Sequence, residues 1–276
     1  SANNNGIVVT GSFDKTCAYM KRTEGIYNFY KDTKYHEDYI YIVRSNVTNT
    51  GFFTGSKDSK IILIDNEGNP LAEFIGHSGT VNSISQSDPH TFISGSWDAT
   101  ARVWDIESGK CKYVLRDHSH AVATLALEGN RYITGSQDKK LRFWDGDRLI
   151  HVIENAHDDI IRDIILNDDM SSFYTCSNDM TIKLWTLNGE LVQTISGHDG
   201  FIFRLLKKNG LLFSAGDDKV VKVWKNGTLH QDLFHPNTVW DMTFDDQGDL
   251  ITACADGVAR VFTTRIEKWL PQQDLD

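Results

Sequence analysis

The chain has 276 residues and a formal net charge of −10, and 40% of its residues are hydrophobic. Its basic residues form no block longer than the pairs Lys139, Lys140 and Lys207, Lys208, which argues against nucleic acid or anionic lipid as the main ligand, because both are bound largely through neutralised phosphates. No run approaches the roughly 18 consecutive apolar residues of a transmembrane helix, so we expect no membrane insertion.

A pattern of strand, tight turn and strand repeats along the chain. It is clearest in residues 92–105, where apolar and polar residues alternate in 101–104 and turn-forming residues occupy 95–98. An aspartate in each turn marks seven repeats at intervals of 38 to 44 residues: Asp14, Asp58, Asp98, Asp138, Asp179, Asp218 and Asp256. Such a period predicts an array of similar structural units.

The first repeat, residues 6–30, contains three predicted strands at 7–10, 16–20 and 26–30. The second repeat, residues 39–75, contains four, at 39–43, 51–54, 60–64 and 71–75. The other five repeats span 80–115, 121–153, 160–195, 201–234 and 238–264. Because no linker interrupts them, we predict one domain over residues 1–276.

Three further columns accompany the turn aspartates. Six residues after each aspartate comes a large apolar residue: Met20, Ile64, Trp104, Trp144, Trp185, Trp224 and Phe262. Four residues before each comes a hydroxyl: Thr10, Thr54, Ser94, Thr134, Thr175, Ser214 and Thr252. Six repeats also have an upstream histidine: His36, His77, His118, His157, His198 and His235. These columns resemble the WD-repeat family, in which one repeat of about 40 residues forms a four-stranded propeller blade.

In that family the histidine, hydroxyl, aspartate and tryptophan form a hydrogen-bonded tetrad within each blade. The resemblance implies four complete tetrads: His77, Ser94, Asp98, Trp104; His118, Thr134, Asp138, Trp144; His157, Thr175, Asp179, Trp185; and His198, Ser214, Asp218, Trp224. The second and seventh repeats keep the histidine, hydroxyl and aspartate but replace the tryptophan with Ile64 and Phe262, and the first repeat has no histidine.

The resemblance predicts an all-β, seven-bladed WD-repeat propeller. By our count the chain supplies about 26 of its 28 strands, and the innermost strand of the first blade and the outermost strand of the last are missing. In this family those two strands commonly close the ring, so we expect residues to precede Ser1 in the natural chain. Residues 266–270 could cover part of the unpaired edge.

The sequence gives no sign of catalysis. It contains no G-x-S-x-G, H-E-x-x-H, G-x-x-x-x-G-K-[ST] or G-x-G-x-x-G motif, and most of its His and Asp pairs fall on the tetrad columns. The four cysteines, Cys17, Cys111, Cys176 and Cys254, form no C-x-x-C pair. We therefore expect no enzyme activity, no metal, no cofactor and no disulfide, in a cytoplasmic or also nuclear protein.

One face of the predicted propeller carries the functional signal. In WD-repeat propellers the residue before the turn aspartate and two residues of the innermost strand face the top rim. Seven aromatic side chains and one arginine fall at these positions: Phe13, Tyr39, Tyr41, Trp97, Arg162, Phe201, Phe203 and Trp240. Exposed aromatic residues are typical of protein-binding hot spots. For Tyr41 and Phe203, exposure on the rim and burial in the central channel are both open; for Trp97 we expect exposure.

Longer segments narrow the resemblance. Residues 94–104 (SGSWDATARVW), 235–241 (HPNTVWD) and 256–263 (DGVARVFT) look like the phospholipase A2-activating protein family, ubiquitin-binding adaptors of an AAA segregase. The resemblance implies ubiquitin or ubiquitin chains as the partner of the rim, and contact with the segregase through domains outside this sequence. A generic WD-repeat scaffold for another protein or linear motif is the alternative, and a phospholipase regulator is a weaker one.

Overall fold

The computed structural model describes residues 1–3, 5–167 and 171–263, with the backbone only over 124–128. The proposed edge cover at residues 266–270 lies outside the described residues. The strands are β1 Ile7–Gly11, β2 Cys17–Thr23, β3 Ile26–Thr33, β4 Ile40–Ser45, β5 Gly51–Ser56, β6 Lys60–Asp65, β7 Pro70–Ile75, β8 Val81–Ser85, β9 Thr91–Ser96, β10 Thr100–Asp105, β11 Cys111–Arg116, β12 Val122–Glu128, β13 Arg131–Ser136, β14 Leu141–Asp145, β15 Arg148–Ile153, β16 Ile161–Leu166, β17 Ser172–Ser177, β18 Thr181–Thr186, β19 Leu191–Ser196, β20 Ile202–Lys208, β21 Leu211–Gly216, β22 Val220–Lys225, β23 Thr228–Phe234, β24 Val239–Phe244, β25 Leu250–Cys254 and β26 Ala259–Phe262.

These strands form seven antiparallel sheets, each of consecutive strands. Blades two to six have four strands each, β4–β7, β8–β11, β12–β15, β16–β19 and β20–β23. Blade one (β1–β3) and blade seven (β24–β26) have three. The chain is a seven-bladed propeller whose first and last blades, over residues 1–3, 5–167 and 171–263, have one strand fewer than the others, which confirms the predicted fold class.

The turn aspartates shape the turn in every blade. Each accepts a hydrogen bond from the backbone N–H two residues further on; in blade three, Thr100 N donates to Asp98 Oδ1 at 2.9 Å. The residue directly after each aspartate has a positive φ, from 64° at Ala99 to 82° at Gly257. An aspartate at this position offers the backbone a local acceptor as it reverses direction, which explains why the column has no exceptions.

A buried apolar cluster fills the space between each pair of neighbouring blades. Between blades two and three it is largely aromatic: the Phe53 and Phe92 ring centroids are 4.5 Å apart, and Phe74 and Phe92 are 4.8 Å apart. Trp104 closes this cluster and is 1% exposed. Each blade therefore buries its faces against two neighbours, as repeat architectures require.

The contact between blades seven and one, here called the closure interface, differs from the others. Its buried apolar cluster consists of Ala2, Val8 and Ile251. Beside it lies a polar clamp, in which Arg22 of blade one forms ion pairs with Asp245 and, at 3.0 Å, with Asp249 of blade seven. These three charged side chains are 8%, 0% and 2% exposed.

The tyrosine of the clamp and the first residues of the chain complete the closure interface. The Tyr27 hydroxyl donates to Asp245 Oδ2 at 2.8 Å. Ala2 forms an antiparallel bridge with Val8 of β1, and Val9 N donates to the Ser1 carbonyl at 2.9 Å. Residues 1–3 thus lie along the edge of β1 that an innermost strand would cover in a four-stranded blade.

Four charged side chains meet at the innermost strands. Arg44 of blade two donates to Asp241 of blade seven at 3.0 Å, and Arg204 of blade six lies 2.8 Å from the same carboxylate. Arg204 also pairs with Asp163 of blade five at 3.5 Å. This channel network joins four blades through alternating charges across the axis of the ring.

Candidate protein-binding rim

The four predicted tetrads are hydrogen-bonded units in the structure. In blade three, His77 contacts Asp98 Oδ2 through Nδ1 at 2.9 Å and Ser94 Oγ through Nε2 at 2.8 Å, and the Trp104 indole donates to Ser94 Oγ at 2.8 Å. The tetrads of His118, His157 and His198 have the same three contacts, at distances between 2.6 and 3.0 Å. Each tetrad links the loop before a blade to its two middle strands.

In blade three the tetrad holds its two ionisable groups in fixed charge states near neutral pH. Burial lowers the pKa of His77 below its usual 6.5, although hydrogen bonding to Asp98 opposes the shift. Burial alone would raise the pKa of Asp98, but hydrogen bonds from His77, Thr100 and the Ser78 backbone lower it far below 3.8. A buried carboxylate with several donors stays ionised, which suits a structural role in positioning the loops of the rim.

The two incomplete tetrads differ from each other. In blade two, His36 contacts both Asp58 at 2.8 Å and Thr54 at 2.8 Å, although Ile64 replaces the tryptophan. In blade seven, His235 contacts Thr252 at 2.9 Å, but its Nδ1 bonds to the Leu233 carbonyl. The expected partner, Asp256, forms an ion pair with Arg260 instead.

In blade seven Arg260 takes the place of His235 as the partner of Asp256. Arg260 lies four residues after Asp256, on the adjacent strand β26, and its guanidinium contacts both carboxylate oxygens. A two-point contact with a guanidinium is stronger than a single bond to a neutral imidazole. Keeping the His and Asp columns in the sequence was therefore not sufficient to predict their contact.

Four of the predicted rim residues form a first rim cluster: Phe13, Tyr39, Tyr41 and Trp97. Phe13 and Tyr39 stack with centroids 4.9 Å apart and planes 20° apart. Tyr41 contacts Phe13 at 5.4 Å and Trp97 at 5.5 Å. Phe13 is 61% exposed and Trp97 is 50% exposed. One continuous aromatic surface thus extends across blades one, two and three.

The other four form a second rim cluster: Arg162, Phe201, Phe203 and Trp240. Phe203 and Trp240 also stack with centroids 4.9 Å apart and planes 20° apart, and Phe201 lies edge-on to Phe203 at 6.5 Å. The Arg162 guanidinium lies 5.4 Å from the Phe203 centroid, and its Nε donates to Asn178 at 2.7 Å. Trp240 is 54% exposed.

Tyr41 and Phe203, for which the sequence left two positions open, are half-buried. Each contacts exposed rings of its own cluster on one side, so the aromatic surface continues to the inner margin of the rim. Two features of the site were not predicted from the sequence. One is the contact of Lys57 with the first rim cluster, where its Nζ lies 4.8 Å from the Tyr39 centroid; its place before Asp58, equivalent to that of Trp97, was the available signal.

The channel network is the second missed feature. Asp163, Arg204 and Asp241 occupy the third position of β16, β20 and β24, and each follows two residues after the first residue of its strand. Charged residues at the same inward position of three consecutive repeats were the signal in the sequence that could have predicted this network. Burial lowers the pKa of Arg44 within this network, and Arg204 lowers it further.

Comparison with known proteins identifies the family to which this chain belongs. The WD domain, G-beta repeat family matches residues 68–105, 109–145, 148–186, 189–225 and 227–263. The chain belongs to the WD-repeat family. The unmatched residues 1–67 contain the two repeats in which Met20 and Ile64 replace the WD-repeat tryptophan.

Individual relatives narrow the relationship. The chain is 34% identical over 271 residues to ubiquitin homeostasis protein lub1 of Schizosaccharomyces pombe, covering 94% of this chain and 37% of lub1. It is 32% identical over 157 residues to protein DOA1 of Saccharomyces cerevisiae, covering 54% of this chain and 21% of DOA1. This WD-repeat chain thus spans well under half the length of these two relatives.

The crystal structure of the WD40 β-propeller domain of Doa1 superimposes with a TM-score of 0.89 at 28% identity, covering 97% of this chain and 92% of that one. The chain is therefore homologous to the Lub1 and Doa1 propellers, of the phospholipase A2-activating protein family, which confirms the resemblance found in the sequence.

Within residues 1–3, 5–167 and 171–263, no helix is long and apolar enough to cross a bilayer. In the same part of the chain, no group of three or more His, Cys, Asp or Glu side chains could hold a metal ion.

Proposed function

We propose that this propeller is a non-catalytic ubiquitin receptor, and that the receptor surface is its top rim. The observation that supports the proposal is the pair of exposed, stacked aromatic clusters on the rim of a propeller homologous to those of lub1 and DOA1. Lub1 is named a ubiquitin homeostasis protein. The propeller would act as the recognition part of an adaptor in ubiquitin-dependent protein degradation.

The recognition mechanism would be burial of apolar surface without chemistry. Ubiquitin has an apolar patch bordered by basic side chains, and the rim offers exposed rings bordered by carboxylates such as Glu37 and Asp217. Aromatic residues contribute large apolar areas at interfaces, and complementary charge favours the encounter. For a patch of this size we expect a dissociation constant on the order of tens of micromolar or weaker.

The wider role of the protein is part of the same proposal. The relatives are longer than this chain, and contact with an AAA segregase would come from parts of the protein outside the propeller. We place this activity in the cytoplasm, and also in the nucleus. The propeller would then select ubiquitin-bearing proteins while another part of the adaptor contacts the segregase.

The test is a titration of isotope-labelled ubiquitin with the propeller, repeated with Trp97→Ala and Phe203→Ala. We expect chemical-shift changes centred on the apolar patch of ubiquitin, and a weaker response with either variant. Phe29→Ala is the matched control, because Phe29 is 64% exposed but lies on β3, the outer strand of blade one.

Equal binding of ubiquitin by all three variants would show that the binding site does not lie on the rim. No shifts at high concentration of a folded propeller would exclude ubiquitin recognition by this domain. The second candidate, a scaffold for another protein or linear motif, would then be favoured by the same exposed rings.

A further inference from the structure

The two rim clusters repeat one design. Each contains a stacked aromatic pair with centroids 4.9 Å apart and planes 20° apart, Phe13 with Tyr39 and Phe203 with Trp240. Each also has a cation over one ring of the pair, Lys57 at 4.8 Å from Tyr39 and Arg162 at 5.4 Å from Phe203. A cation over a ring face is attracted to the ring, so each stacked pair has an additional stabilising contact within the propeller.

The cations are already engaged within the propeller. Lys57 Nζ lies 3.4 Å from a carboxylate oxygen of Asp38, and Arg162 Nε donates to Asn178. Their charges are thus partly satisfied before any ligand arrives. The surfaces that remain available are the exposed faces and edges of Phe13, Trp97 and Trp240.

Blade four separates the two clusters on one side of the rim. Its innermost rim positions are Ala121 and Ala123, both 8% exposed, and its turn position is Gln137. Blade four therefore adds no bulky apolar side chain at these rim positions between Trp97 in blade three and Arg162 in blade five. Among the described residues, every ring contact on the rim falls within one cluster or the other.

On the other side the closure interface lies between the clusters. In the described part of the chain blade one has three strands, and residues 1–3 lie along the inner edge of β1. Phe13, in the turn of blade one, has ring contacts with Tyr39 and Tyr41, whereas Trp240 of blade seven stacks on Phe203. Among the described residues, the ring contacts of the rim therefore form two separate clusters.

Both clusters have acidic borders. Glu37 and Asp38 adjoin the first cluster in sequence, and Asp38 contacts Lys57. Beside the second, the backbone N–H of Asp217 donates to the Phe201 carbonyl at 2.8 Å, and Asp199 is an exposed loop residue two positions before Phe201. Blade four has Ser119, His120 and Gln137 at the corresponding places. Acidic residues thus lie beside both aromatic clusters, and uncharged or neutral side chains take their places in blade four.

We propose that the rim has two ubiquitin subsites, one at each aromatic cluster, and that a single propeller binds two units of one ubiquitin chain. This inference rests on the proposed function, because it names ubiquitin as the ligand. Two matched apolar surfaces with matched acidic borders each complement one apolar patch with basic surroundings. Linking the two units makes the second contact intramolecular and strengthens binding without new contacts.

The propeller provides its own reporters for this test. Trp97 lies in the first cluster and Trp240 in the second, while Trp104, Trp144, Trp185 and Trp224 are buried in the blades; the seventh tryptophan, Trp269, lies outside the described residues. Labelling with 5-fluorotryptophan gives each cluster a separate fluorine signal. Trp97→Phe and Trp240→Phe assign the two signals, and the unchanged signals of the buried tryptophans show that the variants are folded.

The labelled propeller is titrated with monomeric ubiquitin and with two ubiquitins joined by a long flexible glycine-serine linker. We expect both signals to shift, saturation at two monomers per propeller, and binding of the linked pair about 10-fold or more tighter than the monomer. Tyr39→Ala should abolish the shift of Trp97 alone, Phe203→Ala that of Trp240 alone, and either should remove the advantage of the linked pair. Phe29→Ala should change none of these results.

Response of only one tryptophan at one ubiquitin per propeller, with no advantage for the linked pair, would overturn the two-subsite inference and leave the proposed function in place. Response of neither tryptophan, with no change in the ubiquitin spectrum, would overturn both. The two failures are therefore distinguishable in one experiment.

Discussion

The interface between blades two and three and the closure interface hold neighbouring blades together by different contacts. The first buries Phe53, Phe74, Phe92 and Trp104 in one aromatic cluster. The second has Ala2, Val8 and Ile251 as its buried apolar residues and adds the ion pairs of Arg22. The comparison shows that a ring of similar blades can tolerate one weakly apolar contact when buried charges bridge it.

The two interfaces should also differ in how they fail. An apolar cluster loses stability in proportion to the volume removed from it. A buried ion pair responds differently: removing one partner lowers stability strongly, because the other charge stays buried without compensation. Substitutions in the two interfaces should therefore distinguish these two behaviours.

The largest effect is expected for Phe92→Ala. It removes a ring that contacts Phe53, Phe74 and Trp104, and we expect the free energy of unfolding to fall by about 3–5 kcal/mol. Ile251→Ala at the closure interface should cost about 2 kcal/mol, the low end for such a change, because few buried neighbours surround it. Urea denaturation measures both, and equal losses would contradict the difference drawn between the interfaces.

The next effect is expected for Arg22→Met, which leaves the carboxylates of Asp245 and Asp249 buried near each other. We expect a loss of about 3 kcal/mol and faster amide hydrogen exchange in β1 and β24–β26, with β8–β11 unchanged. Arg260→Met is the matched control, because its ion pair with Asp256 is on the surface; little change is expected there. Uniform exchange across all blades would show that the clamp does not act locally.

A smaller difference should separate a complete tetrad from an incomplete one. Thr175 Oγ1 bonds to both His157 and Trp185, so Thr175→Val leaves two buried groups unpaired and should cost about 2–4 kcal/mol. Thr252 bonds to His235, and with Phe262 in place of the indole, Thr252→Val should cost about 1–2 kcal/mol. Thermal and urea unfolding provide the comparison, and a larger loss in blade seven would contradict it.

The most gradual effect is expected on acidification. The pKa values of His77, His118 and His157 are lowered by burial, so the unfolded chain takes up protons first as pH falls below about 6.5. Hydrogen bonding lowers the pKa of Asp58 to about 2 against the opposing effect of burial, so its contribution is lost as pH falls from about 4 towards 2. Urea unfolding at pH 7, 6, 5 and 4 should give a steadily lower free energy of unfolding. A constant or rising free energy would contradict the lowered pKa values.

Much of the fold followed from the sequence because the constraint at each repeat is local. A turn aspartate, a hydroxyl four residues earlier and a tryptophan six residues later are sufficient to define two strands and their register. The strand count also followed, because each run of alternating residues is short and bounded by turn residues such as Gly68 and Gly189, both with positive φ.

The contacts of the site were less predictable. Positions on the rim came from the repeat pattern, but the division of seven aromatic side chains into two stacks depends on rotamers and on Lys57 and Arg162. The pairing of Asp256 with Arg260 in place of His235 is a competition between two partners of one carboxylate. A pattern of residue types does not decide such a competition, since both partners are within reach.

The channel network has a consequence for how the ring assembles. Seven blades with the same strand order could pair with the wrong neighbour during folding, as repeat proteins do when they misassemble. The charges of Arg44, Asp163, Arg204 and Asp241 do not repeat around the axis, and a misplaced blade would leave one of them inside without its counterion. The channel network therefore favours the native order of the blades over misassembled orders.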